Sequence, residues 1–118
     1  FLIPLERAEL RLHDARVAKA AGDVASAQEG YRDAIRDSWF SEVLIPTVVD
    51  EYEDLYAQMG IEADLSMLRH CPATFAAWEK SSKLKSRDLD AKLRQMQIAV
   101  DEFLMELPDV VQQGQETS

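Results

Sequence analysis

The chain has 118 residues and only one cysteine, Cys71. That excludes an internal disulfide framework and any dependence on an oxidising compartment, so the expected location is intracellular, in the cytoplasm. Long hydrophobic runs are also missing. None approaches the roughly 20 apolar residues that a membrane-spanning helix needs, which excludes insertion by that route. Glycine and proline number only four each, too few for an architecture of short strands and tight turns. No stretch alternates apolar and polar residues as a half-buried strand would. The fold class that remains is all-α. The opening residue is Phe1 and no signal peptide is visible, so the chain reads as a piece of a longer protein.

Basic charge is scarce as well. Thirteen Lys and Arg face twenty-two Asp and Glu, a net charge of −9. A basic face is what nucleic acid and anionic membranes require, so neither is an expected partner. The deficit is uneven. Residues 41–67 hold seven carboxylates (Glu42, Asp50, Glu51, Glu53, Asp54, Glu62, Asp64) and no basic residue, whereas 68–94 hold seven basic residues against three acidic ones. Either the two segments face each other in the fold or both are solvated surface.

What is present is helical patterning. The stretch 21–35 combines a turn at Gly22-Asp23 with Ala27, Tyr31 and Ala34 at i, i+4 and i+7. Small residues on one face let a second helix approach closely, and Tyr31 fills the space beside them. Gly22 can end the helix before it, and Asp23 can cap the one after. A first helix is expected over 5–21, with Pro4 in its first turn. A second runs from Asp23 through Trp39, Phe40, Val43 and Leu44, until Pro46 stops or kinks it. A third, 47–59, carries Val48, Val49, Tyr52, Leu55, Tyr56 and Met59, and Gly60 ends it. Residues 61–72 read as a connector containing one short turn, 65–70, capped by Asp64. The final element is a rod over 73–107 whose polar middle, 80–87, is the candidate for a break. Leu89, Leu93, Met96, Val100, Phe103 and Leu107 then step by alternating fours and threes as a heptad seam, widened by Ile98 and Leu104. The expectation is one helical bundle over 1–111 and a disordered tail over 112–118.

The series Ala8, Leu12, Ala15, Gly22, Ala27, Tyr31, Ala34 and Ile35 resembles the first hairpin of a microtubule-interacting-and-trafficking (MIT) domain. It is almost equally similar to one tetratricopeptide repeat. The resemblance covers residues 5–36 and departs from both families at Val24, where they place an aromatic. No second copy of the motif follows. The third helix suits the three-helix MIT arrangement better, although Pro46 lies outside that pattern. Either resemblance implies binding of short peptides or partner helices, without catalysis.

The residues themselves offer little chemistry. His13 and Asp14 are adjacent, so on a helix they do not face each other as a dyad. His70 and Cys71 supply two of the four ligands that a structural zinc site needs, and no second pair exists. The carboxylates of 50–54 lack the Glu-x-x-His element of a di-metal bundle. No cofactor and no metal is expected, and no enzyme. The expected function is an adaptor or scaffold subunit that binds a protein partner, such as a basic peptide or helix, at Asp50, Glu51, Glu53, Asp54 and Tyr56. The alternative is a structural oligomerisation element, a homodimer paired through Leu89, Leu93, Met96, Val100, Phe103 and Leu107. Trp39, Phe40 and Trp78 are core anchors or the lining of a groove.

Overall fold

The computed structural model describes residues 2–81 and 86–110, so the expected tail over 112–118 lies outside the described residues. Among the described residues five helices follow one another: α1 (Leu2–Ala20), α2 (Val24–Ser38), α3 (Leu44–Gln58), α4 (Ser66–Lys80) and α5 (Ser86–Glu106). No strand occurs among the described residues. α1 and α2 form the tightest pairing. α3 packs on α2 and α4 on α3, and α5 returns to touch both α2 and α4. The assembly is elongated, 54 × 24 × 17 Å.

The hairpin is built as its spacing predicts. Ala8, Ala15, Ala27, Tyr31 and Ala34 are all fully buried, with Leu12 beside them. Gly30, which is not among the residues of the predicted stripe, sits where α1 comes close to the α2 backbone. A Cβ there would lie 2.8 Å from Ala15 Cβ and 3.0 Å from the Arg11 carbonyl oxygen. Gly22 has φ +81°, and the N–H of Asp23 reaches back to the Ala18 carbonyl at 2.9 Å. Asp23 then caps α2 by accepting from the Ser26 N–H at 3.1 Å. The same device closes α3: Gly60 has φ +70°, and the Ile61 N–H bonds the Tyr56 carbonyl at 2.9 Å.

Three expectations require correction. α2 stops at Ser38, well before Pro46, because serines divert the backbone there. The Ser38 hydroxyl donates to the Ala34 carbonyl at 2.6 Å, the Ser41 N–H bonds the Ser38 carbonyl, and Ser41 Oγ accepts from the Leu44 N–H at 3.1 Å. Pro46 therefore falls in the first turn of α3, where its missing N–H costs no intrahelical bond. The second correction concerns Pro72, which lies inside α4 rather than before it. The helix begins at Ser66, whose N–H is held by Asp64 Oδ1 at 3.0 Å. Burial of Leu68, Cys71 and Phe75 along one stripe outweighs the lost bond to the Leu68 carbonyl. The third is the rod over 73–107, which is two helices. Ser81 turns to extended backbone (φ −76°, ψ 111°) and ends α4, at the start of the polar stretch.

The core runs the length of the molecule. Ile45, Val48, Val49, Leu55, Leu65, Leu68, Val100 and Leu104 are all fully buried. At the junction of α2, α4 and α5, Trp39 stands edge-on to Phe40 and Phe75, with ring centroids 5.6 and 5.9 Å away.

Candidate functional site

Three of the four acidic residues of α3 are paired within the chain. Arg16 of α1 forks onto Glu51, its Nε 2.9 Å from Oε1 and its Nη2 2.6 Å from Oε2. The Tyr31 hydroxyl adds a longer bond to Glu51 at 3.4 Å. Arg69 of α4 bridges Asp50, at 2.6 Å, and Glu53. These bonds to carboxylates, first those to Glu51 and Asp50, hold the Arg16 and Arg69 guanidinium pKa values above their ordinary range. Acidic 41–67 and basic 68–94 thus meet through Arg69, while α1 supplies the other guanidinium. Asp54 makes no ion pair among the described residues. Tyr56 is buried at 1 % exposure, so it offers no surface from within the acidic face.

The seam of α5 faces its own chain. Val100 is fully buried, as is neighbouring Leu104, and Leu89, Leu93, Met96, Phe103 and Leu107 are partly buried. Ile98 and Met105, one heptad apart, remain 57 % and 77 % exposed on the outer side.

An apolar cleft of about 280 Å³ opens where the start of α1, the end of α2 and the middle of α5 converge. Pro4, Trp39, Phe40 and Leu93 supply its apolar lining, with Arg7, Arg36, Arg94, Asp37 and Gln97 around them. Trp39 is fixed by donating its indole N–H to Gln97 Oε1 at 2.9 Å. Gln97 in turn donates to Asp101, and Arg36 pairs with both Asp101 and Asp33. Arg7 lies 3.5 Å from Asp37. Arg94 alone of the three arginines has no carboxylate partner among the described residues.

A second polar assembly lies between α2 and α3, and it binds main chain. Gln28, 2 % exposed, accepts the Val110 N–H at 3.0 Å. Arg32 Nη2 donates to the carbonyls of Leu107 and Pro108, each at 3.3 Å. The Tyr56 hydroxyl donates to the Pro108 carbonyl at 2.5 Å. Tyr52 ties the set together: its oxygen accepts from Arg32 Nε at 2.7 Å and lies 2.8 Å from the Tyr56 oxygen. Burial, more than any neighbour, pushes the Tyr52 phenol far above its ordinary pKa, and it pushes Tyr31 up to about 12. Sequence reasoning misses Gln28, Arg32, Arg94 and Gln97. Gln28 left one trace, an amide beside the buried Ala27 on the stripe of α2. Arg32 left none, since Tyr52 lies 20 residues away and its main-chain partners 75 and 76.

The remaining candidates are His13, His70 and Cys71. His13 and His70 are exposed. Cys71 is 3 % exposed, and burial raises its thiol pKa, which disfavours the reactive thiolate. Among the described residues no group of three or more His, Cys, Asp or Glu could hold a metal ion, and no helix is long and apolar enough to cross a membrane. Comparison with family models, curated proteins and solved structures yields no match for this chain.

Proposed function

We propose that this chain is a non-catalytic protein-interaction module, an adaptor or subunit that seats a partner helix or peptide in the cleft against Phe40, Leu93 and Arg94, over the buried Trp39. The observation that carries the reading is the cleft's composition. It offers an apolar floor held rigid by the Trp39–Gln97 bond, beside an arginine whose charge is uncommitted. Aromatic residues and arginine are the commonest anchors of interface energy, and a preorganised floor loses little entropy on binding. The resemblance of residues 5–36 to MIT and tetratricopeptide hairpins points the same way. The carboxylates of α3 are the lesser candidate, because Glu51, Asp50 and Glu53 already neutralise Arg16 and Arg69.

The test is affinity capture with three folded baits: the parent chain, Arg94→Glu and Asp54→Lys. A partner held by the parent and by Asp54→Lys but lost with Arg94→Glu is expected. The reverse pattern moves the site to α3, and no enrichment over a scrambled bait overturns the reading. Self-association is a second reading, favoured by Ile98 and Met105. Since the seam of α5 faces the chain's own core, a dimer would use those two exposed residues instead.

A further inference from the structure

We infer that the face between α2 and α3 is a peptide-docking site which the chain fills with its own residues 107–110, and that a protein partner presenting an apolar–proline–acid–apolar segment of the same backbone shape takes their place in trans. This site is separate from the Trp39 cleft and stands or falls without it.

Residues 107–109 have left the helix and Val110 is helical again, and the side chains around this link address main-chain atoms. Arg32 and Tyr56 bond the carbonyls of Leu107 and Pro108, and Gln28 bonds the N–H of Val110. Contacts to main chain hold any segment that presents two successive carbonyls and an N–H at this spacing, as in peptide-binding domains generally. Specificity comes from the fully buried seat of Val110 and from proline, whose fixed φ and missing N–H shape the link between α5 and Val110. Tyr52 holds Arg32 and Tyr56 in their bonding positions, so the site is preorganised.

Exchange requires that Gln28, Arg32 and Tyr56, which bond the segment directly, meet water when it leaves, since a buried orphan would make its release costly. Its advantage over a free peptide is proximity, an effective concentration on the order of millimolar. A partner therefore competes only when its segment is better seated or when the internal one is weakened.

The probe is a fluorescein-labelled peptide copying residues 104–113, followed by anisotropy against the full-length chain. Val110→Asp, which spoils the internal apolar seat, should bind this peptide about ten-fold or more tightly than the parent does, since cis competition has been relieved. Adding Arg32→Ala should abolish binding, as should an aspartate at the peptide's copy of Val110. Equal binding to the parent and to Val110→Asp overturns the inference, and so does binding that survives Arg32→Ala. If Val110→Asp fails to fold, the isotope-labelled parent decides. Several millimolar peptide must shift the Val110 amide resonance to a released position, and an unmoved resonance means that 107–110 is a fixed strut. A second copy using the same site would show as concentration-dependent dimerisation of the parent chain, which would name the wrong occupant and overturn the partner assignment.

Discussion

Two glycines separate packing from backbone conformation. Gly30 is helical and would carry a Cβ into Ala15 and the Arg11 carbonyl, atoms that belong to the neighbouring backbone and cannot swing aside. Gly30→Ala gains about 1 kcal/mol of helix propensity, yet overpacking at such a site costs about 1–3 kcal/mol. A net loss of stability is expected, read as a lower urea midpoint. At Gly22 there is open space around the missing Cβ, but φ is +81°. Gly22→Ala should therefore cost about 1–2 kcal/mol for conformational reasons alone. A midpoint unchanged in either variant contradicts the corresponding geometry. The tyrosines add a pH signature. Tyr31, normally near 10, is raised to about 12 by burial and then by the Glu51 charge, so its neutral form is favoured in the fold. That contribution is complete below the unfolded pKa near 10 and lost as pH climbs through about 12. Stability measured by urea should fall across this window, less steeply in Tyr31→Phe. Identical slopes would remove Tyr31 from the explanation.

At the scale of elements, legibility followed sequence distance. The Gly22-Asp23 turn and the Gly60 stop could be read because cap, breaker and stripe all lie within a few residues. The end of α2 could not, since Ser38 and Ser41 act by redirecting single backbone bonds while the apolar pattern runs on to Leu44. Pro72 misled in the opposite direction. A local cost of about 3 kcal/mol or more is overridden by a stripe whose burial depends on α3 and α5. The α5 seam was legible as apolar, and its cover only from the structure. Leu104→Ala should cost about 2–5 kcal/mol, as expected when a fully buried leucine leaves a cavity. A loss under 1 kcal/mol would mean that α5 is only loosely docked. The candidate sites were the least legible. The cleft joins Pro4 to Leu93, and Arg32 meets residues 107 and 108, pairings for which no local pattern exists.

For the whole molecule, the question is whether the outer face of α5 stays in water. Its exposed pair, Ile98 and Met105, sits apart from the buried Val100 and Leu104. Covering two side chains gains far less than the area that stable homodimers bury, so sedimentation should find a monomer at micromolar concentration. Ile98→Glu with Met105→Glu should leave that mass and the fold unchanged. A parent dimer that this double variant dissociates would make the outer face of α5 an assembly surface.

The order in which the helices touch also bears on how the chain folds. α1 meets α2, α2 meets α3, and so on; among the described residues the longest returns are those of α5 and residues 107–110 to α2 and α3, beyond the Arg16–Glu51 link from α1 to α3. Local pairings close small loops and form early, whereas the return of α5 must wait until its distant surface exists. A folding nucleus within the first three helices follows. Weakening the hairpin, as in Gly30→Ala, should then slow folding, while loosening residues 107–110 should leave the folding rate almost untouched and accelerate unfolding. The resistance of this protein to unfolding, as distinct from the speed with which it forms, should rest on α5 and residues 107–110.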